Sequence, residues 1–189
     1  MVTAMVILPF GSKKKKLKRL IEEERFEDVL SIVTKDKKSL NSLMELLEEP
    51  SPGIRGDVLL VLSMVTEKDP SPLGPHMEML LQKAISLTRD NNPYVKENAM
   101  VLSYNLVRLS SGRTEKLKGM VLEDLLAAIK DGDRNTKAFA VMMLGELGAA
   151  EARREIESLV EVEDKVILPF EGKKWVPLGE IAREALEKL

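Results

Sequence analysis

Six cations crowd one short stretch of this chain: Lys13, Lys14, Lys15, Lys16, Lys18 and Arg19. Such a run could contact phosphates or an anionic lipid surface, because cation–phosphate contact is the sequence-independent part of nucleic-acid binding. No aromatic residue interleaves with these lysines, so base stacking has nothing to work with. The alternative is a solvated helix start or an N-terminal cap. Lysines in a first turn oppose the helix dipole, which places the expected start of this helix nearer Lys16.

A second set of charges is spaced rather than clustered. Arg55, Lys96 and Lys137 follow one another at intervals of 41, and Glu49, Asp90 and Asp131 keep the same interval, each acid six residues before its base. One reading is a stripe of bases that contacts an acidic partner. The other is that each base bonds the turn acid of its own or the neighbouring unit and holds the units in register, and the fixed offset favours this one. Surface pairs of this kind are each worth only ~0–1 kcal/mol, so apolar burial must carry the stability.

Conventional catalysis lacks its residues. There is no cysteine, which excludes disulfides, thiolate nucleophiles and Cys-bound metals. His76, the single histidine, follows Pro75 without a partner at metal-binding spacing and reads as a surface residue. Glu123 and Asp124 are adjacent and diverge by ~100° around a helix. Asp131 and Asp133 bracket Gly132 in a turn and suit helix capping. Phosphate loops and nucleophile elbows are absent. No catalytic, cofactor-binding or metal residue is assigned, and the expectation is a protein that is not an enzyme and carries no cofactor.

The elements that position these residues follow from composition and periodicity. The chain has 189 residues and a net charge of −2; 44% are hydrophobic but only 4% aromatic, so Leu, Val, Ile, Met and Ala must fill the interior of an all-α protein. Residues 1–38 hold ten Lys/Arg against six Asp/Glu, and the remainder is acidic. The apolar run Ala4–Phe10 precedes its positive charge and contains Pro9, unlike a signal peptide, and nothing approaches the ~20 apolar residues of a membrane span. A soluble cytoplasmic protein with no membrane contact is expected. Helical spacing marks two short segments within Lys16–Thr34, then Ser39–Glu48, Ile54–Thr66, Met77–Thr88, Tyr94–Leu109, Leu117–Ile129, Asn135–Leu147, a start at Glu151–Val160, and Gly179–Leu189. Pro- and Gly-rich turns separate them. Gly148 is a natural helix C-cap. Asp164–Phe170 and Trp175-Val176, joined by a turn at 171–174, read as a β-hairpin.

A period of 41 with two helices per unit is the signature of an α-solenoid. The units resemble HEAT repeats: an acid in the inter-helix turn, a Val-Lys or Ile-Arg pair opening the second helix (Ile54-Arg55, Val95-Lys96), and the run Leu144-Gly145-Glu146-Leu147-Gly148 closing it. Short prokaryotic HEAT-like proteins of the armadillo-like helical superfamily, parts of phycobilin lyases among them, are the nearest kind. The resemblance implies one solenoid domain over residues 1–189, a right-handed superhelix of about four helix pairs: an N-terminal segment with capping helices (1–37), regular repeats (38–160), a hairpin insertion (161–177) and a closing helix (178–189). Its second helices should line one shallow concave face. The iron-dependent hydroxylases of this kind need several His-Glu pairs, and the alkylpurine glycosylases need tryptophans in a basic cleft; neither set is present.

The hairpin is the irregular element, with Phe170 and Trp175 as candidate partner or dimer contacts; otherwise it covers the open end of the solenoid. Val6-Ile7-Leu8-Pro9-Phe10 recurs identically as Val166-Ile167-Leu168-Pro169-Phe170, which suggests edge pairing between two copies in a homodimer. A long repeat surface suits extended partners. The expected function is a non-catalytic protein-interaction scaffold with an unidentified protein partner. The alternative is an auxiliary nucleic-acid-binding or repair factor using the lysine run, with a lyase as a third class.

Overall fold

At several breaks in the apolar spacing a side-chain oxygen caps the start of the next helix. The structure, a computed structural model, describes residues 10–110, 112, 114–170 and 174–189. Helix α1 is Phe10–Glu22 and α2 is Phe26–Lys35. Asp36 alone separates α2 from α3 (Lys37–Glu45) and accepts from the amides of Lys38 and Ser39. Ser51 caps α4 (Pro52–Lys68), Asn92 caps α6 (Pro93–Leu109) and Asp133 caps α8 (Arg134–Glu146), each through its side-chain oxygen. Pro52 and Pro93 open their helices, where a missing N–H costs nothing. Between them run α5 (Met77–Leu87) and α7 (Thr114–Asp131); α9 (Arg153–Glu157), strands β1 (Lys165–Val166) and β2 (Val176–Pro177), and α10 (Leu178–Glu187) complete the chain. Gly148 adopts φ +60°, the left-handed turn that ends α8.

The helices pair as α5/α6, α7/α8 and α9/α10, while α3 packs on α1 and α2 and α4 packs along α6, an all-α solenoid with one small antiparallel hairpin among the described residues. Leucine, valine, isoleucine, methionine and alanine fill nearly all of one continuous core, and Phe139 is its largest fully buried side chain. Among the described residues, no helix is long and apolar enough to cross a membrane.

Four expectations change. Helix α1 begins at Phe10 rather than near Lys16, because Lys13 and Lys14 find carboxylates that offset the dipole penalty. The segment after Asp69 is a 3-10 turn, Ser71–His76, that leads directly into α5. The expected helix at Glu151–Val160 shortens to α9. The hairpin pairs only Lys165 with Pro177 and Val166 with Val176; its apolar residues from Ile167 onward leave the strand and pack elsewhere. Its tip at 171–173 and the N-terminal Val6–Pro9 lie outside the described residues.

Candidate functional site

The spaced charges become contacts between neighbouring units. The Arg55 guanidinium donates to Asp90 at 2.8 Å and to the carbonyls of Glu49 and Pro50 at 2.9 Å each, tying the turn of its own unit to that of the next. Glu49 is reached from α1, by Lys18 at 2.7 Å and Lys14 at 3.6 Å. One repeat later the partner shifts: Lys96 meets Asp133 at 2.5 Å rather than Asp131. Asp133 already caps α8, so its carboxylate is fixed where the Lys96 ammonium arrives. Burial pushes the Asp133 carboxyl up, but Lys96 and the Thr136 amide overcome that and hold it below the usual range. Asp131 is exposed, and neither it nor Lys137 has an ion pair among the described residues.

The same contacts occupy the lysine run. Lys13 donates to Asp36 at 2.5 Å, and its hydrogen bond holds that carboxyl well below the ordinary aspartate range. Lys18 does likewise for Glu49. Arg19 pairs with Glu23, in the turn that follows its helix, 3.6 Å away. Lys15 and Lys16 stay exposed, with no ion pair among the described residues. A second ladder, invisible to the 41-residue spacing, crosses the first helices: Glu48–Lys83, Glu78–Lys116 and Lys118–Glu151, at 2.5, 2.6 and 3.0 Å. Its members come from different positions in each unit, so only the packed helices bring them together.

The second helices carry a solvent-facing stripe at helical spacing. On α4 it is Asp57, Leu60 and Met64; on α6, Asn98, Val101 and Asn105; all six are half-buried. Forty-one residues on, Phe139 and Met142 of α8 are buried. The chain after β1 explains the difference. Val166 and Leu168 are buried, and Phe170 stacks on Tyr104 of α6 with ring centroids 4.5 Å apart while meeting Phe139 of α8 edge-on at 6.4 Å. Arg108 lies 5.5 Å over the Tyr104 ring. The Ile167 amide donates to the Asn135 side chain at 3.3 Å. Beside this segment a cleft of ≈ 450 Å³ remains, lined by Met100, Glu97 and Lys96 of α6, by Asn135, and by Ile167 and Leu168.

The two strands therefore pack on α8 and on the closing helix α10, which itself packs on α8 and α9, while the segment after β1 reaches across α8 to α6. Phe170, expected as a partner contact, is half-buried against Tyr104 and Phe139 of its own chain. Trp175 remains 55% exposed. Tyr94, at the other end of the stripe, is 42% exposed; partial burial and its hydrogen bond to Asp57 push its phenol up to about 12. Among the described residues, no three acids or histidines converge as a metal site.

No family model matches the chain, and no curated protein does. Among solved structures it is similar to a designed armadillo repeat protein: TM-score 0.60 at 16% identity, over 93% of this chain and 87% of that one. The likeness shows an armadillo/HEAT-like helical repeat fold.

Proposed function

We propose that the chain is a non-catalytic scaffold that binds another protein along the stripe of α4 and α6. The observation that carries this is the half-buried row of Leu60, Met64 and Val101, in register across two repeats and interrupted by polar Asp57, Asn98 and Asn105. Apolar anchors within a polar surround are the composition of a non-obligate interface. Repeat folds with such a surface suggest protein interaction in general. The lysine run supports nucleic-acid binding less well, since Lys13, Lys14 and Lys18 already neutralise carboxylates of the same chain.

The test is affinity capture from lysate with the wild-type chain and with Met64→Glu/Val101→Glu. A defined protein retained by the first and lost by the second is the expected result. Retention by both, or a salt-dependent affinity for DNA or RNA that Lys15→Glu/Lys16→Glu abolishes, would overturn it.

A further inference from the structure

The seat of Val166–Phe170 is unusual because α6 and α8 do not close on each other. Helix α4 packs along α6 and α10 packs along α8, yet α6 and α8 meet over a short stretch only. Into the gap between them go Leu168, which is buried, and the Phe170 ring, stacked on Tyr104. A binding seat of this kind reads side chains, and the chain carries those side chains twice. Residues 6–10 repeat Val-Ile-Leu-Pro-Phe without change, and Gly and Lys follow both copies closely. With four Phe and nine Pro in 189 residues, this is not a match that composition would produce.

We propose that the gap between α6 and α8 is a recognition groove for Val-Ile-Leu-Pro-Phe, filled in cis by residues 166–170, and that residues 6–10 of a second copy of this chain are its exchangeable occupant. The N-terminal copy of the same molecule is excluded. Phe10 is the first residue of α1, and three residues on Lys13 is bonded to Asp36. Helix α1 packs on α2, α3 and α4, so Phe10 stays at that end of the solenoid. Three residues span at most ~11 Å. A second molecule has no such tether. The cleft of ≈ 450 Å³ left beside Ile167 and Leu168 gives an incoming segment a place to start before the resident one leaves. Asn135, whose side chain accepts the Ile167 amide, offers the equivalent bond to the Ile7 amide.

Exchange conserves contacts: each molecule gives up one seated segment and receives one of identical sequence. The resident segment belongs to the same chain, and a short tether of that kind gives an effective concentration on the order of millimolar. At micromolar protein the cis segment therefore wins, and weakening it should reveal the partner.

The experiment uses the full chain with Leu168→Asp/Phe170→Asp, examined by analytical ultracentrifugation across concentration. The expected result is a monomer–dimer equilibrium that wild type lacks at the same concentrations, and that disappears when Leu8→Asp is added. A monomer at every concentration, or a dimer that survives Leu8→Asp, overturns the proposal. Should the double variant fail to fold, the wild-type chain is titrated with a synthetic peptide of residues 3–12 and followed by Trp175, the single tryptophan, which sits on the hairpin beside β2. A saturable change in emission at millimolar peptide, absent with the Leu8→Asp peptide, is expected. Phe170→Ala should tighten it about tenfold, the worth of one aromatic pair. No saturable change, or the same change with both peptides, overturns it.

Discussion

Two neighbouring steps of the solenoid use the same 41-residue register and reach different structures. At the α4–α6 step, Gly56 leaves a face on which the Tyr94 ring lies; a Cβ there would sit 2.3 Å from that ring. At the α6–α8 step the corresponding residues are Glu97 and Asn135, and no ring crosses. Further along, Ser63, Tyr104 and Gly145 share one register position. Gly145 lets α10 approach until a Cβ would meet the Ala185 backbone at 2.9 Å, and Ser63 is small and buried on α4. Tyr104 is the large member, and its ring takes Phe170 rather than a helix. Where the residues are small, helix packs on helix. Where they are large, the solenoid opens and borrows a segment from later in its own chain.

The largest test of that contrast lies at the open step. Phe139→Ala and Leu168→Ala, each removing a fully or nearly fully buried side chain, should cost about 3–5 and about 2–4 kcal/mol. For a chain of this size that is a Tm fall of roughly 4–20 °C, readable by calorimetry. A loss below about 1 kcal/mol for Leu168→Ala would mean the segment merely covers α8 and does not fill the step. At the closed step, Gly56→Ala should destabilise by about 1–2 kcal/mol, because displacing the Tyr94 ring outweighs the helix-propensity gain. In a Tyr94→Ala background the same change should reverse sign, stabilising by up to about 1 kcal/mol. Glu97→Ala, its counterpart at the open step, should stay within about 0.5 kcal/mol.

These steps also separate what could be read in the sequence from what could not. The starts of α4, α6 and α8 were legible because the turns before them, with their prolines and glycines, are local signals, whereas the start of α1 and the length of α9 were not. The repeat period was legible because register is arithmetic. Phe170 was not placed, since nothing near it in sequence tells of Tyr104, 66 positions earlier; only the gap between two helices does. The shift of Lys96 from Asp131 to Asp133 was hidden for a related reason. The cap role of Asp133 was visible, but its carboxylate's position beside α6 is a property of packing. The lysine run was conspicuous as charge, while its partners Asp36 and Glu49 lie on two later turns, before α3 and before α4, that spacing within α1 does not report.

Smaller effects should distinguish the two rungs of charge. The Arg55–Asp90 side chains are 17% and 15% exposed, whereas Asp133 opposite Lys96 is 53% exposed. Arg55 also satisfies two carbonyls that a lysine could not reach with the same fork. Double-mutant cycles with Arg55→Ala/Asp90→Ala and Lys96→Ala/Asp133→Ala should give coupling of about 1 kcal/mol for the first and about 0.3 kcal/mol for the second. Equal couplings would mean that water, not packing, sets both.

The smallest effect is pH-dependent and sorts the N-terminal cap from the open step. Asp36, Glu49 and Asp133 all have carboxyls held below their ordinary values by lysines. A carboxyl depressed in the folded state stabilises it fully above its unfolded value, and that contribution drains away as pH falls through the unfolded value toward the folded one. The unfolded values are 4.5 for Glu49 and 3.8 for Asp36 and Asp133. Tm should therefore be level from about pH 7 to pH 5 and decline below about 4.5. Removing the lysine removes its part of the depression, leaving what Lys14 does for Glu49 and the Thr136 amide for Asp133, and so removes that part of the decline. Lys18→Met should flatten the curve where Glu49 begins to protonate, and Lys96→Met only at lower pH, where Asp133 does. Thermal melts monitored by circular dichroism at half-unit pH steps would show the order. If Lys96→Met flattened the curve first, the Lys96–Asp133 rung would be the stronger determinant and the ranking of the two regions would have to be reversed.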